Sequence, residues 1–263
     1  MDRADLFHFG HRLLAVCQSA GAGLMQLVYP PVCSGCGKMV GRPAGLCTEC
    51  WATVRFIERP YCEITGVPFD HDRGEGFVSP QAIANPPPYA KARAAVFHDG
   101  VARKIAHGLK YSDRADLATM MAEWMIRAGR DVLDDSDVII AIPLHRARLF
   151  SRRYNQSAEL ARTLARLSGK PFLPGVMRRV RATRQQVGLG LKARQDNVRG
   201  AFLVPPEQGQ RLIGRKVLLV DDVLTTGSTV EAATRALLRR GVAQVNVLAF
   251  ARVASQGGET LYV

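Results

Sequence analysis

The stretch VLLVDDVLTTGSTV, residues 217–230, does most to restrict the fold of this chain: an apolar strand ends in two acids and runs into a hydroxyl- and glycine-rich turn that opens a helix. In that order the backbone N–H groups of Thr225, Thr226, Gly227, Ser228 and Thr229 gather at a helix N-terminus, where the macrodipole and the hydroxyls favour a monophosphate. Gly227 lets the backbone come close to such a group. Asp221 and Asp222, just upstream, are placed to accept hydrogen bonds from ribose hydroxyls, directly or through Mg2+. The spacing suits a phosphorylated sugar. Two other readings compete with it. A Walker B strand would need a G-x-x-x-x-G-K-[ST] loop elsewhere, and the chain contains none. Simple helix capping by Thr or Ser would leave two adjacent acids at the end of a buried strand with no use, which is costly.

From Lys91 onward the patterning alternates between strand and helix. A short strand and turn is expected at AAVFHDG, helices at VARKIAHGLKY and from Arg114 to Arg130, and a strand from Asp137 to Leu144. A helix from about Asn155 to Leu167, a strand from Val217 to Asp222, a helix from about Ser228 to Arg240 and a last strand QVNVLAFA complete the series. Alternation of this kind predicts an α/β domain with a parallel sheet, spanning residues 92–263.

Upstream, residues 29–90 are rich in Pro and Gly and lack periodicity, so they fold only if something staples them. Two CxxC pairs, Cys33 with Cys36 and Cys47 with Cys50, supply the staple. Each pair can set two thiolates on one side of a tight turn, and two such knuckles close a tetrahedral zinc site. Four ligands leave no open position, so the metal would be structural. A redox CxxC normally opens a helix in a βαβ setting, whereas these lie in Pro/Gly-rich coil. A zinc ribbon is therefore expected over 29–66 and a linker over 67–91. Cys62 could start a second ribbon, but Thr65 stands where its partner would be and no Cys follows, so that ribbon is degenerate. Residues 1–28 read as an amphipathic helix, with Cys17 a packed small hydrophobe rather than a ligand.

Composition narrows the class of function. A hydrophobic fraction of 47% in 263 residues supports a real core and excludes a disordered chain. The net charge of +13 predicts attraction to polyanions, although most of the basicity is Arg, which codon bias alone could produce. No apolar run is long enough to cross a membrane, and the acids and histidines near the start argue against a signal peptide. A cytoplasmic, reducing location is expected. Aromatic content of 7% gives little sign of a stacking platform for bases.

The 217–230 stretch resembles the PRPP-binding motif of type I phosphoribosyltransferases. Together with Ile142–His145, the run Arg152–Gln156, Arg181, Thr183, Gln185 and Gln186, and Arg194 leading through Asn197 to Phe202, the chain resembles the ComF family of competence-associated proteins. That family joins an N-terminal zinc ribbon to a phosphoribosyltransferase domain. Arg153 departs from it, standing where Gly is usual. The resemblance implies a pyrophosphate loop after Pro143, with Leu144, His145, Arg146 and Arg152 as candidates; separately, Lys110 in GLKYSDR ends a helix, where its ammonium could meet a phosphate or simply lie solvated at the helix C-terminus. The resemblance further implies that the basic segment 178–199 closes over substrate, with Arg184, Lys192 and Arg194 neutralising charge on the leaving group beside Asp221 and Asp222. The function so implied is Mg-dependent transfer of phosphoribosyl from PRPP to a nitrogen acceptor. Two alternatives stand beside it: a factor handling single-stranded DNA or DNA-uptake proteins in natural transformation, with PRPP as regulator, and a PRPP-binding regulator without transfer activity.

Overall fold

The computed structural model describes residues 30–41, 44–111, 116–145, 149, 154–181 and 200–254. They fall into two compact units, Met1–Ala52 and Thr53–Val263. The first carries the CxxC pairs and helix α1, Thr48–Ala52. The second opens with helix α2, Pro80–Ala84, whose N-cap Ser79 accepts a hydrogen bond from Ala82 N through its side chain. Residues 67–91, expected as a linker, thus hold a helix and belong to the larger unit.

The body runs β1 (Lys91–Phe97), α3 (Gly100–Tyr111), α4 (Leu117–Ala128), α5 (Arg130–Asp134), β2 (Val138–Ala141) and α6 (Gln156–Ser168). It continues through a two-stranded hairpin, β3 (Arg178–Arg179) with β4 (Phe202–Leu203), then α7 (Pro206–Gly209), β5 (Lys216–Leu224), α8 (Ser228–Leu238) and β6 (Gln244–Arg252). The four long strands form a parallel sheet in the order β1-β6-β5-β2. Each is buried along most of its length because helices cover both faces, which is why VIIA and VLLV carry no polar alternation. Val217, Leu219, Val245 and Val247 face Val230, Ala233 and Leu237 of α8, joined by Phe202 and Val204 of the hairpin region. Residues of alternate parity, among them Ile139, Leu218 and Phe250, lie on the side of α4 and α6, where Trp124 stacks on Phe250 at 6.0 Å.

The helix expected over 114–130 is two helices, since the chain breaks at Gly129 between α4 and α5. The strand expected to end at Asp222 continues to Leu224, because Val223 and Leu224 still pair with Ala251 and Arg252 of β6. Both acids therefore sit inside the last turn of pairing. The N-terminal helix expected over 1–28 lies outside the described residues.

Candidate functional site

Three elements converge on the carboxyl end of β5. Asn155 caps α6: its side-chain oxygen accepts from Ser157 N at 3.1 Å, and its amide donates to Ile142 O at 2.9 Å just beyond β2. The start of α6 is thereby pinned beside the sheet, and Ser157, in the first turn, donates its hydroxyl to Asp221 Oδ1 at 3.0 Å. Asp222 N donates to the same oxygen at 2.9 Å. From the other side α3 ends at the site. Its Lys110 ammonium lies 2.7 Å from Asp222 Oδ2, with both side chains mostly buried. Tyr154 donates its hydroxyl to Leu109 O, which ties the approach to α6 to the end of α3.

Electrostatics set the two acids apart. Burial, reinforced by the neighbouring Asp222 charge, pushes the Asp221 carboxyl up to about 7. Burial acts on Asp222 as well, but the Lys110 ammonium outweighs it and holds that carboxyl below its ordinary value. Well below pH 7 the pair therefore carries close to one negative charge, which faces the Lys110 ammonium. His98, half-buried nearby, is held below its ordinary value by burial and by Lys110.

Downstream the strand passes into the turn before α8. Gly227 has φ +83°, a left-handed conformation, and its carbonyl accepts from Glu231 N at 2.9 Å. Thr226 Oγ1 and Ser228 Oγ are 3.0 Å apart, with Ser228 buried. No side chain crowds Gly227: an added Cβ would meet nothing closer than 3.8 Å. The turn thus presents backbone N–H groups at the positive end of an eleven-residue helix, directly after the two acids.

Leu144 and His145 follow β2, and His145 bridges to Arg179 of β3. A cavity of about 190 Å³ opens beside Leu144, lined by Ile140, Pro143, Phe172 and Val176. Arg146, Arg152, Arg184, Lys192 and Arg194 lie outside the described residues. Of the expected site residues, the structure brings together Asp221, Asp222 and Lys110, and it pairs Lys110 with a carboxylate where a phosphate was expected. Ser157 was missed by sequence reasoning. Its only signal was the N-cap Asn155 two residues earlier, which fixes position 157 in the first turn of a helix.

In the first unit, the four sulfurs of Cys33, Cys36, Cys47 and Cys50 lie within 4.8 Å of one another, and Gly35 N and Cys47 N donate to Cys33 Sγ at 3.4 and 3.3 Å. Burial and the neighbouring thiols push Cys50 up to about 12, a cost that a bound divalent cation reverses. Four converging sulfurs suit a tetrahedral zinc site.

The family model of the double zinc ribbon domain matches residues 24–81, and that of the phosphoribosyl transferase domain matches residues 168–262. The DNA utilization protein YhgH of Salmonella typhi is 30% identical over 227 residues, covering 84% of this chain and 90% of that protein. Competence protein F of Haemophilus influenzae is 37% identical over 116 residues, or 44% of this chain and 50% of that protein. The chain belongs to the ComF family. Among solved structures, the allosteric regulatory enzyme of purine biosynthesis covers 55% of this chain and 30% of its own, at 19% identity and TM-score 0.36. A parallel sheet with helices on both faces, joined to an N-terminal zinc ribbon domain, is the architecture of this ComF family member. Among its described residues no helix is long and apolar enough to cross a membrane.

Proposed function

We infer that this protein binds PRPP at the carboxyl end of β5 and transfers its phosphoribosyl group to a nitrogen acceptor. The observation that carries this is the acid pair, fixed by Ser157 and Lys110 and followed at once by the open Gly227 turn at the start of α8. Asp221 and Asp222 accept from the ribose hydroxyls, and the N–H groups and hydroxyls of Thr225 to Thr229 hold the 5-phosphate. On binding, Lys110 leaves Asp222 for the incoming anion. From the family resemblance we assign pyrophosphate binding to Leu144, His145, Arg146 and Arg152, and neutralisation of the departing group to Arg184, Lys192 and Arg194. The bond from the anomeric carbon to pyrophosphate oxygen breaks with its electron pair leaving on oxygen. A bond to the acceptor nitrogen forms, and the acceptor gives up a proton to solvent. Mg2+, bound with PRPP, supplies further charge neutralisation to the leaving group. Little covalent chemistry is asked of the protein, whose contribution is positioning and charge. The cytoplasm is the place we assign to this activity, in keeping with cysteines held reduced for zinc.

The names of the relatives, DNA utilization protein and competence protein, favour a second reading, in which the protein handles single-stranded DNA during uptake and PRPP acts as regulator. Melting temperature separates the two at the site. With ligand at about 100-fold excess over Kd, native-state binding adds about 2.7 kcal/mol. Wild type is expected to shift upward by several degrees with Mg2+ and PRPP, and the Asp221→Asn/Asp222→Asn variant not at all. Acceptor-dependent release of pyrophosphate then establishes transfer. A shift without turnover supports the regulator, and no shift at millimolar PRPP removes the site reading and leaves DNA handling.

A further inference from the structure

We propose that residues 60–84 are a second copy of the ribbon knuckle in which Cys62, Thr65, Ser79 and Ala82 occupy the four ligand positions, that this copy binds no zinc, and that packing on β1 has replaced the metal.

The two copies share a hydrogen-bond pattern residue for residue. In the first, Val32 bridges Met39, Val40 N donates to Pro31 O at 2.9 Å, Cys33 N to Lys38 O at 2.7 Å and Gly37 N to Cys33 O at 2.9 Å. In the second, Tyr61 bridges Pro68, Phe69 N donates to Pro60 O at 2.9 Å, Cys62 N to Val67 O at 2.8 Å and Gly66 N to Cys62 O at 2.8 Å. Gly37 and Gly66 both take left-handed φ, +79° and +63°. The match extends to the second half of each knuckle. Cys47 N donates to Cys33 Sγ at 3.3 Å, and Ser79 N donates to Cys62 Sγ at 3.3 Å. A five-residue helix follows immediately in each case, α1 after Cys47 and α2 after Ser79, with Cys50 and Ala82 as the third helical residue. Thr65 takes the place of Cys36, Ser79 of Cys47 and Ala82 of Cys50.

Zinc requires four nitrogen, sulfur or carboxylate donors, whereas the second copy offers one thiol, two hydroxyls and a methyl group. The Thr65 hydroxyl oxygen is buried, and the Thr65 and Ser79 side chains both interact with the Cys62 sulfur, as the register requires. The double zinc ribbon family model covers the first copy and runs into the second as far as residue 81, but the residues fit a metal in the first alone.

What folds the second copy is contact with the sheet. Ala92 N of β1 donates to Ile64 O at 2.7 Å, Arg252 donates to Thr65 O, and a Cβ on Gly66 would collide with the Ala92 carbonyl oxygen. Arg93 is fully buried, with its guanidinium 2.8 Å from both Glu63 and Asp131. A knuckle without a core needs metal to fold. One laid along a strand has a core, and Cys62 is fully buried within it. This copy accordingly belongs to the larger unit, while the first stands as a unit of its own. The zinc requirement is confined to residues 30–52, and the phosphoribosyltransferase-fold body is independent of it.

Metal content of the full-length chain, by native mass spectrometry, tests this. One zinc per chain is expected in wild type, one in Cys62→Ser, and none in Cys47→Ser/Cys50→Ser. Two zincs in wild type, or zinc retained by Cys47→Ser/Cys50→Ser, overturns the proposal. These three proteins decide the zinc count whether or not other variants fold. The register is tested by Thr65→Cys/Ser79→Cys/Ala82→Cys, expected to take up two zincs; a variant that melts near wild type and still holds one overturns the assignment of ligand positions.

Discussion

Asp221 and Asp222 are adjacent in sequence yet differ in the company they keep. Asp222 has an ammonium 2.7 Å away; Asp221 has a hydroxyl and a backbone N–H. Hydroxyls stabilise a carboxylate less than a cation does, so burial dominates at Asp221 and lifts it from an ordinary 3.8 to about 7. The folded chain keeps that proton up to near pH 7, whereas the unfolded chain loses it near pH 4. Stability from this group is complete below pH 4 and lost as pH rises through 7. Asp221→Asn removes the dependence. Thermal melts of the ligand-free proteins at pH 5 and pH 8 are expected to show wild type losing about 5 °C relative to the variant across that interval. An equal difference at both pH values would show Asp221 ionised throughout. Ser157 is the second residue to test. Its hydroxyl orients Asp221 without reaching solvent, so Ser157→Ala is expected to weaken PRPP binding about 3- to 10-fold, the value of roughly one ordinary hydrogen bond. Titration calorimetry reads this, and an unchanged Kd would leave Ser157 a packing residue.

At the scale of elements, the turn between β5 and α8 separates a stability effect from a binding effect. A Cβ on Gly227 (φ +83°) would meet only ordinary contacts, the nearest Glu231 Oε1 at 3.8 Å, and one on Gly169 (φ +73°), which ends α6, would meet nothing within 4 Å. Alanine at either position meets the same left-handed strain, about 1 kcal/mol, or a loss of about 3 °C for a chain of this size. Only the Gly227 turn lies in the proposed phosphate cradle. Gly227→Ala is therefore expected to lose at least about 10-fold in PRPP affinity, since a strained turn re-aims its N–H groups, while Gly169→Ala melts equally early and binds as wild type. Equal affinities would remove the turn from the site. The long strands and helices of this body were legible in the sequence because periodicity and apolar runs fix them locally. The acid pair and its turn were legible for the same reason, being contiguous. The β3–β4 hairpin, α2 and α7 were not, because two- to five-residue elements depend on what they pack against. Nor were the partners of the acids. Ser157 and Lys110 reach them only because the strand order β1-β6-β5-β2 sets α6 and α3 beside the end of β5, and strand order is a property of the assembled sheet.

For the molecule as a whole, the charge of +13 and the acid pair make opposite demands on a ligand. A surface excess of Arg attracts any polyanion over a distance of about 10 Å at 0.1 M salt, and more weakly as salt rises. The buried acids instead require hydroxyls or a cation at contact range, which screening leaves largely intact. A single strand held by about five phosphate contacts has a salt slope near −3.5, so its affinity falls about 100-fold between 50 and 200 mM salt. PRPP is also held by backbone N–H groups and by the two carboxylates at contact range, interactions that screening weakens little, so its affinity is expected to fall less steeply than the strand's over the same range. The two ligands then respond to different substitutions. Asp221→Asn/Asp222→Asn is expected to abolish PRPP binding and leave the slope for a fluorescent single strand unchanged, because neither acid contacts phosphate in the strand complex. Loss of both together would mean one shared site, with DNA phosphate entering the same Gly227 turn, and would join the transferase and DNA-handling readings in a single surface. Retention of the DNA slope with loss of PRPP would place the strand on the basic exterior, where its binding is sequence-independent and rests on charge.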